Sequence, residues 1–258
     1  DALHAMGLKF GIYSSPGPLT CGLYTASYQY ELNDAKSYAQ WGVDYLKYDW
    51  CSYNDIAKDT SLAERKKPYF VMRDALNKVN RDIVYSLCQY GMSNVWQWGA
   101  EVGGNLWRTT GDITDTWESM SGIGFNQLNM AQYAKPGNWN DPDMLVVGWV
   151  GWGPNLHPSK LSPDEQYTHI SLWCLLASPL LIGCDLERLD DPARDALRDA
   201  IDVHQRDLTH ALAEHRDARL QELLAFLGGL VFVILAEVAV AAGDGDVARF
   251  AVTDNFTN

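Results

Sequence analysis

An aspartate ends the run Leu46-Lys47-Tyr48-Asp49 and is followed at once by Trp50-Cys51. A carboxylate at the C-terminal tip of a buried strand is held by the strand yet opens onto the cleft at the strand ends, and the residue two positions earlier points to the same side. Lys47 is thus expected beside Asp49, where a cation favours the charged carboxylate, and Asp49 becomes a candidate nucleophile. The plainer reading, a strand-end aspartate that caps the next turn, fits the hexapeptide equally well. A second carboxylate closes the loop Arg108-Thr109-Thr110-Gly111-Asp112. Two carboxylates facing one cleft suggest glycoside hydrolysis. At about 5 Å apart, one attacks the anomeric carbon and the other protonates the leaving oxygen with net retention; a gap of roughly 6.5 to 9.5 Å admits a water and inverts. Asp112 could instead cap the helix that follows it, and Asp115 competes with it for either role.

These side chains need a scaffold that presents strand ends to one cleft. Leu8 to Tyr13 reads as a strand leading into the turn-rich Ser14-Ser15-Pro16-Gly17-Pro18. Asn33 is the expected cap of a helix running to Trp41 and stopping at Gly42, with Val43 to Asp49 as the next strand. Met72, Ala75, Leu76 and Val79 keep helical spacing, which predicts a helix starting near Pro68, before a strand from Ile83 to Cys88. Shorter strands are expected to end at Trp107-Arg108 and to cover Leu180 to Gly183, and Met144 to Gly148 is expected to lie near another strand. A helix is expected around Thr116 to Met120, and a capping box at Ser162-Pro163-Asp164-Glu165 opens another to about Ala177. Asp191-Pro192 opens a last helix. Strands alternating with helices imply a parallel sheet with right-handed crossovers. Tyr13, Asp49, Gln89, Arg108 through Asp112, Asp143 and Asp185 all fall at or just past strand C-termini. Functional residue types at the same end of six successive strands fit the active face of a TIM barrel better than an open sheet with one switch point. The expected fold is α/β, a (β/α)8 TIM barrel of which about six βα units are counted, strands 3 to 8, so that two units are expected upstream of Asp1.

The barrel is expected to occupy residues 1–205, with a divergent tail over 206–258. Leu223 to Ala242 is apolar enough to raise a membrane span, but Glu237 and Gly228-Gly229 disfavour that reading. A β-hairpin turning at Gly228-Gly229, the start of an antiparallel β domain, fits better, and an aberrant tail is the third reading. With 258 residues and a net charge of -13, the chain can bury a full core but would repel polyanions, which excludes nucleic acid as a natural ligand. Ten Trp and 13 Tyr supply flat rings suited to sugar faces, though core packing must use many of them. The five cysteines and six histidines show no C-x-x-C or H-E-x-x-H spacing, so no metal and no cofactor is expected. Cys88, Cys174 and Cys184 lie in apolar runs and read as buried thiols. Cys21 and Cys51 follow predicted strands in polar loops from which a disulfide can form, and spacing alone leaves their pairing open.

The runs GLKFGIYS, WGVDYLKYDWC, WRTTGDITDTW, PGNWNDPDML and LWCLLASPLLIGCDL, in this order over residues 7 to about 190, resemble the melibiase-type α-galactosidases of glycoside hydrolase family 27. The resemblance implies a TIM barrel followed by an antiparallel β domain and a double displacement that retains the α configuration. It makes Asp49 the nucleophile and Asp112 the acid/base. It places Tyr13, Lys47 and Arg108 at sugar-binding positions, Asp143 and Met144 in the pocket lining, and Cys21 with Cys51 in a disulfide beside the nucleophile. Gln89 stands where many members carry a glutamate that contacts the sugar 2-position; an amide both donates and accepts, and it would crowd an acetamido group, so a 2-hydroxyl is expected. The aspartate pair that holds the 4- and 6-hydroxyls in the family has no counterpart in this sequence. The implied substrate is a terminal α-galactosyl residue of an oligosaccharide or polysaccharide side chain, in an extracellular or periplasmic setting. Rival readings are β-L-arabinopyranosidase, α-N-acetylgalactosaminidase, or a sugar-binding barrel without catalysis.

Overall fold

A computed structural model describes residues 1–151 and 153–189, together with Asp195 and Arg198. The chain divides into two compact units, and among the described residues the first runs from Asp1 to Gly111 and the second begins at Asp112. Of the helix expected to open at Asp191-Pro192 only Asp195 and Arg198, both helical, are described, and the whole tail, with its three readings, lies outside the described residues. Among the described residues no helix is long and apolar enough to cross a membrane.

The first unit is built from parallel strands with helical crossovers. After a short helix α1 (Ala2–Ala5), it contains β1 (Gly11–Ser14), α2 (Glu31–Trp41), β2 (Tyr45–Asp49), α3 (Leu62–Leu76), β3 (Val84–Cys88) and β4 (Leu106–Arg108). The four strands pair in parallel in chain order, with Tyr13 level with Lys47, Lys47 with Ser86, Asp49 with Cys88, and Leu87 with Trp107. Because successive side chains alternate, this register sorts each strand into two faces. Leu46, Tyr48, Tyr85, Leu87 and Trp107 join one apolar cluster with Ala35 and Tyr38 of α2 and Tyr69, Met72 and Ala75 of α3. The other face carries Tyr13, Lys47, Asp49, Ser86, Cys88 and Arg108. Fully burying Leu46 or Leu87 is worth roughly 2 to 3 kcal/mol each, and a one-residue slip of either strand would turn these leucines off the helices and Asp49 into them. At the opposite end of β2, Asp44 accepts from Phe10 N–H at 2.8 Å and from Arg81 at 2.6 Å, and His4 Nε2 lies 2.7 Å from it. That end of the sheet is a structural anchor, and the other is left for chemistry.

Several boundaries differ from the sequence reading for identifiable reasons. The first strand is Gly11–Ser14, three residues later than expected at its start. Asn33 lies inside α2, whose N-cap is Tyr30, while Gly42 stops the helix in the left-handed region at φ 76° as anticipated. α3 begins at Leu62 because Ser61 accepts from Glu64 N–H at 3.2 Å; Pro68 sits within the helix instead of opening it, and forgoes one backbone bond.

The second unit contains α4 (Trp117–Phe125), β5 (Trp139–Asp141), the two-residue strands β6 (Trp149–Val150) and β7 (His157–Pro158), and α5 (Pro163–Leu175). Met144 to Gly148, expected to lie near a strand, falls between β5 and β6. Leu145 and the expected strand Leu180 to Gly183 meet only as a single parallel bridge, Leu145 to Ile182. The antiparallel pair β6–β7 had no sequence signal, since neither piece exceeds two residues. α5 starts at the anticipated capping box, Ser162 accepting from Glu165 N–H and Glu165 from Ser162 N–H, and ends at Leu175. Its Ile170 and Trp173 pack with Met120, Leu145, Val147 and Ile182 in a second apolar cluster.

Candidate active site

Asp49 ends β2 on the face away from the helices and is 1% exposed. Three donors converge on it. Its Oδ1 accepts from Trp50 N–H at 2.7 Å and from the Tyr90 hydroxyl at 2.8 Å, and its Oδ2 accepts from the Tyr13 hydroxyl at 3.1 Å. A buried carboxylate is tolerable only when its lone pairs are met in this way, and hydrogen bonds from fixed phenols also hold it in one rotamer. The capping alternative survives only in the Trp50 N–H bond. Lys47 lies with its Nζ 5.8 Å from the centre of the Tyr13 ring, so its charge and the Tyr13 hydroxyl act on the same side of the sheet.

The loop after β1 is tied to the residue after Trp50 by the Cys21–Cys51 disulfide, with Cα atoms 5.1 Å apart. Ser15 Oγ donates to Cys51 O at 2.5 Å, and the Tyr13 hydroxyl lies 3.1 Å from Cys51 Sγ. A Cβ on Gly17 would collide with the Cys51 carbonyl and Ser52, which is why a glycine follows Pro16. Both disulfide sulfurs and a carboxylate oxygen of Asp49 lie within 4.8 Å of one another, but bonded sulfurs are not thiolates and offer a metal ion no ligand set. Cys174 is half-buried, not buried as read from the sequence, whereas Cys88 and Cys184 are buried, and burial beside Asp185 pushes the Cys184 thiol up to about 12.

Tyr90 was not singled out from the sequence. It reaches Asp49 because Tyr90 and Gly91 take positive φ, 61° and 78°, in the turn after β3, and Gly91 N–H donates to Arg108 O at 3.1 Å. A Cβ on Gly91 would run into the Thr109 carbonyl, so the glycine that permits this approach is the available signal. Gln89, one residue earlier, is 1% exposed; its amide donates to Met92 O at 3.5 Å, and its Oε1 is buried with no hydrogen-bond partner among the described residues. Leaving such an acceptor unmet costs about 1 to 3 kcal/mol, which a hydroxyl donor from a ligand would recover. Arg108, 2% exposed, ends β4 and donates to Thr110 O at 3.3 Å, with its guanidinium 5.8 Å from the Tyr90 ring centre. The first unit thus gathers Tyr13, Lys47, Asp49, Gln89, Arg108 and the disulfide at one end of one sheet.

Asp112, Asp143 and Met144 belong to the second unit. Asp112 is exposed, and it does not cap α4, because Thr116 takes that place and accepts from Ser119 N–H at 3.3 Å. Asp115 is not a rival acid: it is 8% exposed and accepts from Lys160 N–H at 3.0 Å, with His157 Nε2 at 3.1 Å and Lys160 Nζ at 3.4 Å. Burial raises the Asp115 carboxyl, but the bonds from Lys160 N–H, His157 and the Lys160 side chain outweigh it and hold the group below the usual carboxylate range. Asp143, 3% exposed, takes φ 90° and hydrogen-bonds to Ile113, Asp141 and Met144. Met144 is half-buried, and its thioether and Cγ lie so close to Gly183 that a Cβ there would clash.

The family model described as Alpha galactosidase A matches residues 1–206. The chain belongs to this family. Alpha-galactosidase 3 of Arabidopsis thaliana is 46% identical over 189 residues, which cover 73% of this chain and 39% of that protein. Among solved structures, alpha-galactosidase I from Mortierella vinacea superposes with a TM-score of 0.67 at 33% identity, covering 77% of this chain and 52% of that one. The Saccharomyces cerevisiae alpha-galactosidase with raffinose gives 0.64 at 32% identity, covering 75% and 45%. The fold is therefore that of the melibiase (β/α)8 barrels, present here in part. The chain spans about half the length, or less, of the melibiases it matches.

Proposed function

We propose that the protein carrying this chain is a retaining glycoside hydrolase that removes terminal α-galactosyl residues from oligosaccharides or polysaccharide side chains. The observation that carries the reading is Asp49: a carboxylate fixed at a strand end by two phenols and a backbone N–H, beside a disulfide. In the proposed reaction an Asp49 oxygen attacks the anomeric carbon as Asp112 gives a proton to the leaving oxygen, and the bond between them breaks. The resulting β-galactosyl ester of Asp49 is cleaved when Asp112 takes a proton from water, which attacks the same carbon and restores the α configuration. Lys47 and Arg108 supply donors to the sugar ring, Met144 lines the pocket, and the unmet Gln89 Oε1 receives the 2-hydroxyl. The raffinose bound in the Saccharomyces cerevisiae structure is an α-galactoside, which supports the substrate class.

We further propose that the described residues up to Leu189 belong to the catalytic barrel. The Cys21–Cys51 bond supports an extracellular or periplasmic setting, since such bonds persist in oxidising compartments. Hydrolysis of nitrophenyl α-galactoside, β-L-arabinopyranoside and α-N-acetylgalactosaminide by the full-length protein tests the assignment, with the anomer of the first-formed sugar followed by proton NMR. Preference for the α-galactoside with α-galactose formed first is expected. Preference for either other glycoside, or β-galactose formed first, overturns it.

A further inference from the structure

Resemblance places Asp143 in the pocket lining, and each oxygen of its carboxylate accepts from a backbone N–H. Oδ2 accepts from Ile113 N–H and Oδ1 from its own neighbour Met144 N–H, each at 2.8 Å. The backbone on both sides is held as well: Asp143 N–H donates to Asp141 Oδ1 at 2.8 Å, and its carbonyl accepts from the Trp173 indole N–H at 2.7 Å. Trp173 is in turn fixed edge-on against His169, ring centres 4.1 Å apart, and His169 Nε2 accepts from Val146 N–H at 3.2 Å. A non-glycine residue at φ 90° is an outlier that persists only when its surroundings over-determine it. These bonds are what over-determine it.

Ile113 N–H belongs to the peptide that joins Ile113 to Asp112. A charge-assisted bond to that N–H fixes the plane of the peptide, and with it the direction from which the Asp112 side chain leaves the main chain. Asp112 is exposed on a loop, whereas Ile113 and Asp143 are buried. A proton donor on a loop must stay within hydrogen-bond reach of the leaving oxygen, and displacement by about 1 Å can cost roughly 100-fold in rate. We propose that Asp143 is a positioning residue for the acid/base: it acts on Asp112 through the Ile113 N–H and is not a ligand of the sugar. This rests on the reading of Asp112 as the acid/base.

The test is Asp143→Asn in the full-length protein, a near-isosteric change that leaves one acceptor oxygen for two N–H donors. A positioning role predicts the signature of impaired proton donation: kcat/KM for methyl α-galactoside, whose leaving group needs a proton, falls at least about 10-fold more than for 2,4-dinitrophenyl α-galactoside. Inhibition by galactose should stay within about 2-fold, and in an Asp112→Ala background the substitution should add almost nothing, as expected of residues acting as a unit. Equal losses on both substrates with weakened galactose inhibition would make Asp143 a sugar ligand and overturn the proposal, as would no loss. If Asp143→Asn does not fold, an ester in place of the Asp112–Ile113 peptide, introduced with the α-hydroxy analogue of isoleucine, removes the N–H alone; the same split between substrates is expected, and its absence overturns the proposal. Asp112→Ala, assayed alone, separates the two readings: without a leaving-group split there, the acid/base assignment fails, and the positioning role with it. Exchange of the Ile113 amide should be faster in Asp143→Asn than in the wild type; unchanged exchange would mean that Asp143 does not hold that N–H and would overturn the proposal.

Discussion

Breaking the Cys21–Cys51 bond tests how the site is held. The bond closes a sequence separation of 30 residues that contains all of α2 and all of β2. In the chain-entropy account, a loop of this length removes freedom from the unfolded chain worth about 3.7 kcal/mol at 25 °C. For a domain of this size, that amounts to a fall in Tm of roughly 7 to 15 °C on reduction. The assay compares urea unfolding of the oxidised and reduced wild type with that of Cys21→Ala/Cys51→Ala. The reduced wild type keeps every side-chain atom, so it isolates the cross-link, while the double variant adds the contacts of Cys51, which is 8% exposed. Cys51 Sγ also lies 3.1 Å from the Tyr13 hydroxyl that donates to Asp49, so activity should fall together with stability. A loss under about 1 kcal/mol on reduction would refute the reasoning, because the unfolded chain would then gain little freedom from opening the loop.

Tyr90→Phe removes one donor to Asp49 and should lower kcat/KM about 10-fold or more, the value of a hydrogen bond to a charged group; an unchanged rate would deny Tyr90 its place in the site. Burial lowers His169 to about 4 from an ordinary 6.5, so the unfolded chain binds its proton first and stability should decline as pH falls from about 6.5 to 4, by at most about 3 kcal/mol. His169→Gln should flatten that decline in pH-dependent urea unfolding. Gln89→Ala opens space at a 1% exposed position and should raise the ratio of α-N-acetylgalactosaminide to α-galactoside hydrolysis, measured as relative kcat/KM. Asp49→Ala should abolish turnover, and added azide should restore it with β-galactosyl azide as product, identified by NMR.

The alternation of β2 was legible in the sequence because Leu46 and Tyr48 must face helices, which leaves Lys47 and Asp49 on the other side. Caps written in side chains, Ser162 with Glu165 and Gly42, were equally plain. Pro68 misled because a proline marks the first turn of a helix more often than its interior, and Ser61 carried the true start. The bounds of β5 were not legible because Met144 to Gly148 is the more apolar run, yet Trp139–Asp141 forms the strand and Asp143 turns the chain at positive φ. Tyr90 and the role of Asp115 depend on a turn and on a short antiparallel pair, whose pairings join residues distant in sequence without a periodic pattern.

The most direct test of the central claim is to trap the covalent intermediate. Full-length protein incubated with 5-fluoro-α-galactosyl fluoride, then digested and sequenced by mass spectrometry, should carry one fluorogalactosyl ester, on the peptide containing Leu46-Lys47-Tyr48-Asp49 and at Asp49 itself. A label on any other carboxylate, or steady turnover of the reagent with no labelled peptide, would contradict the account.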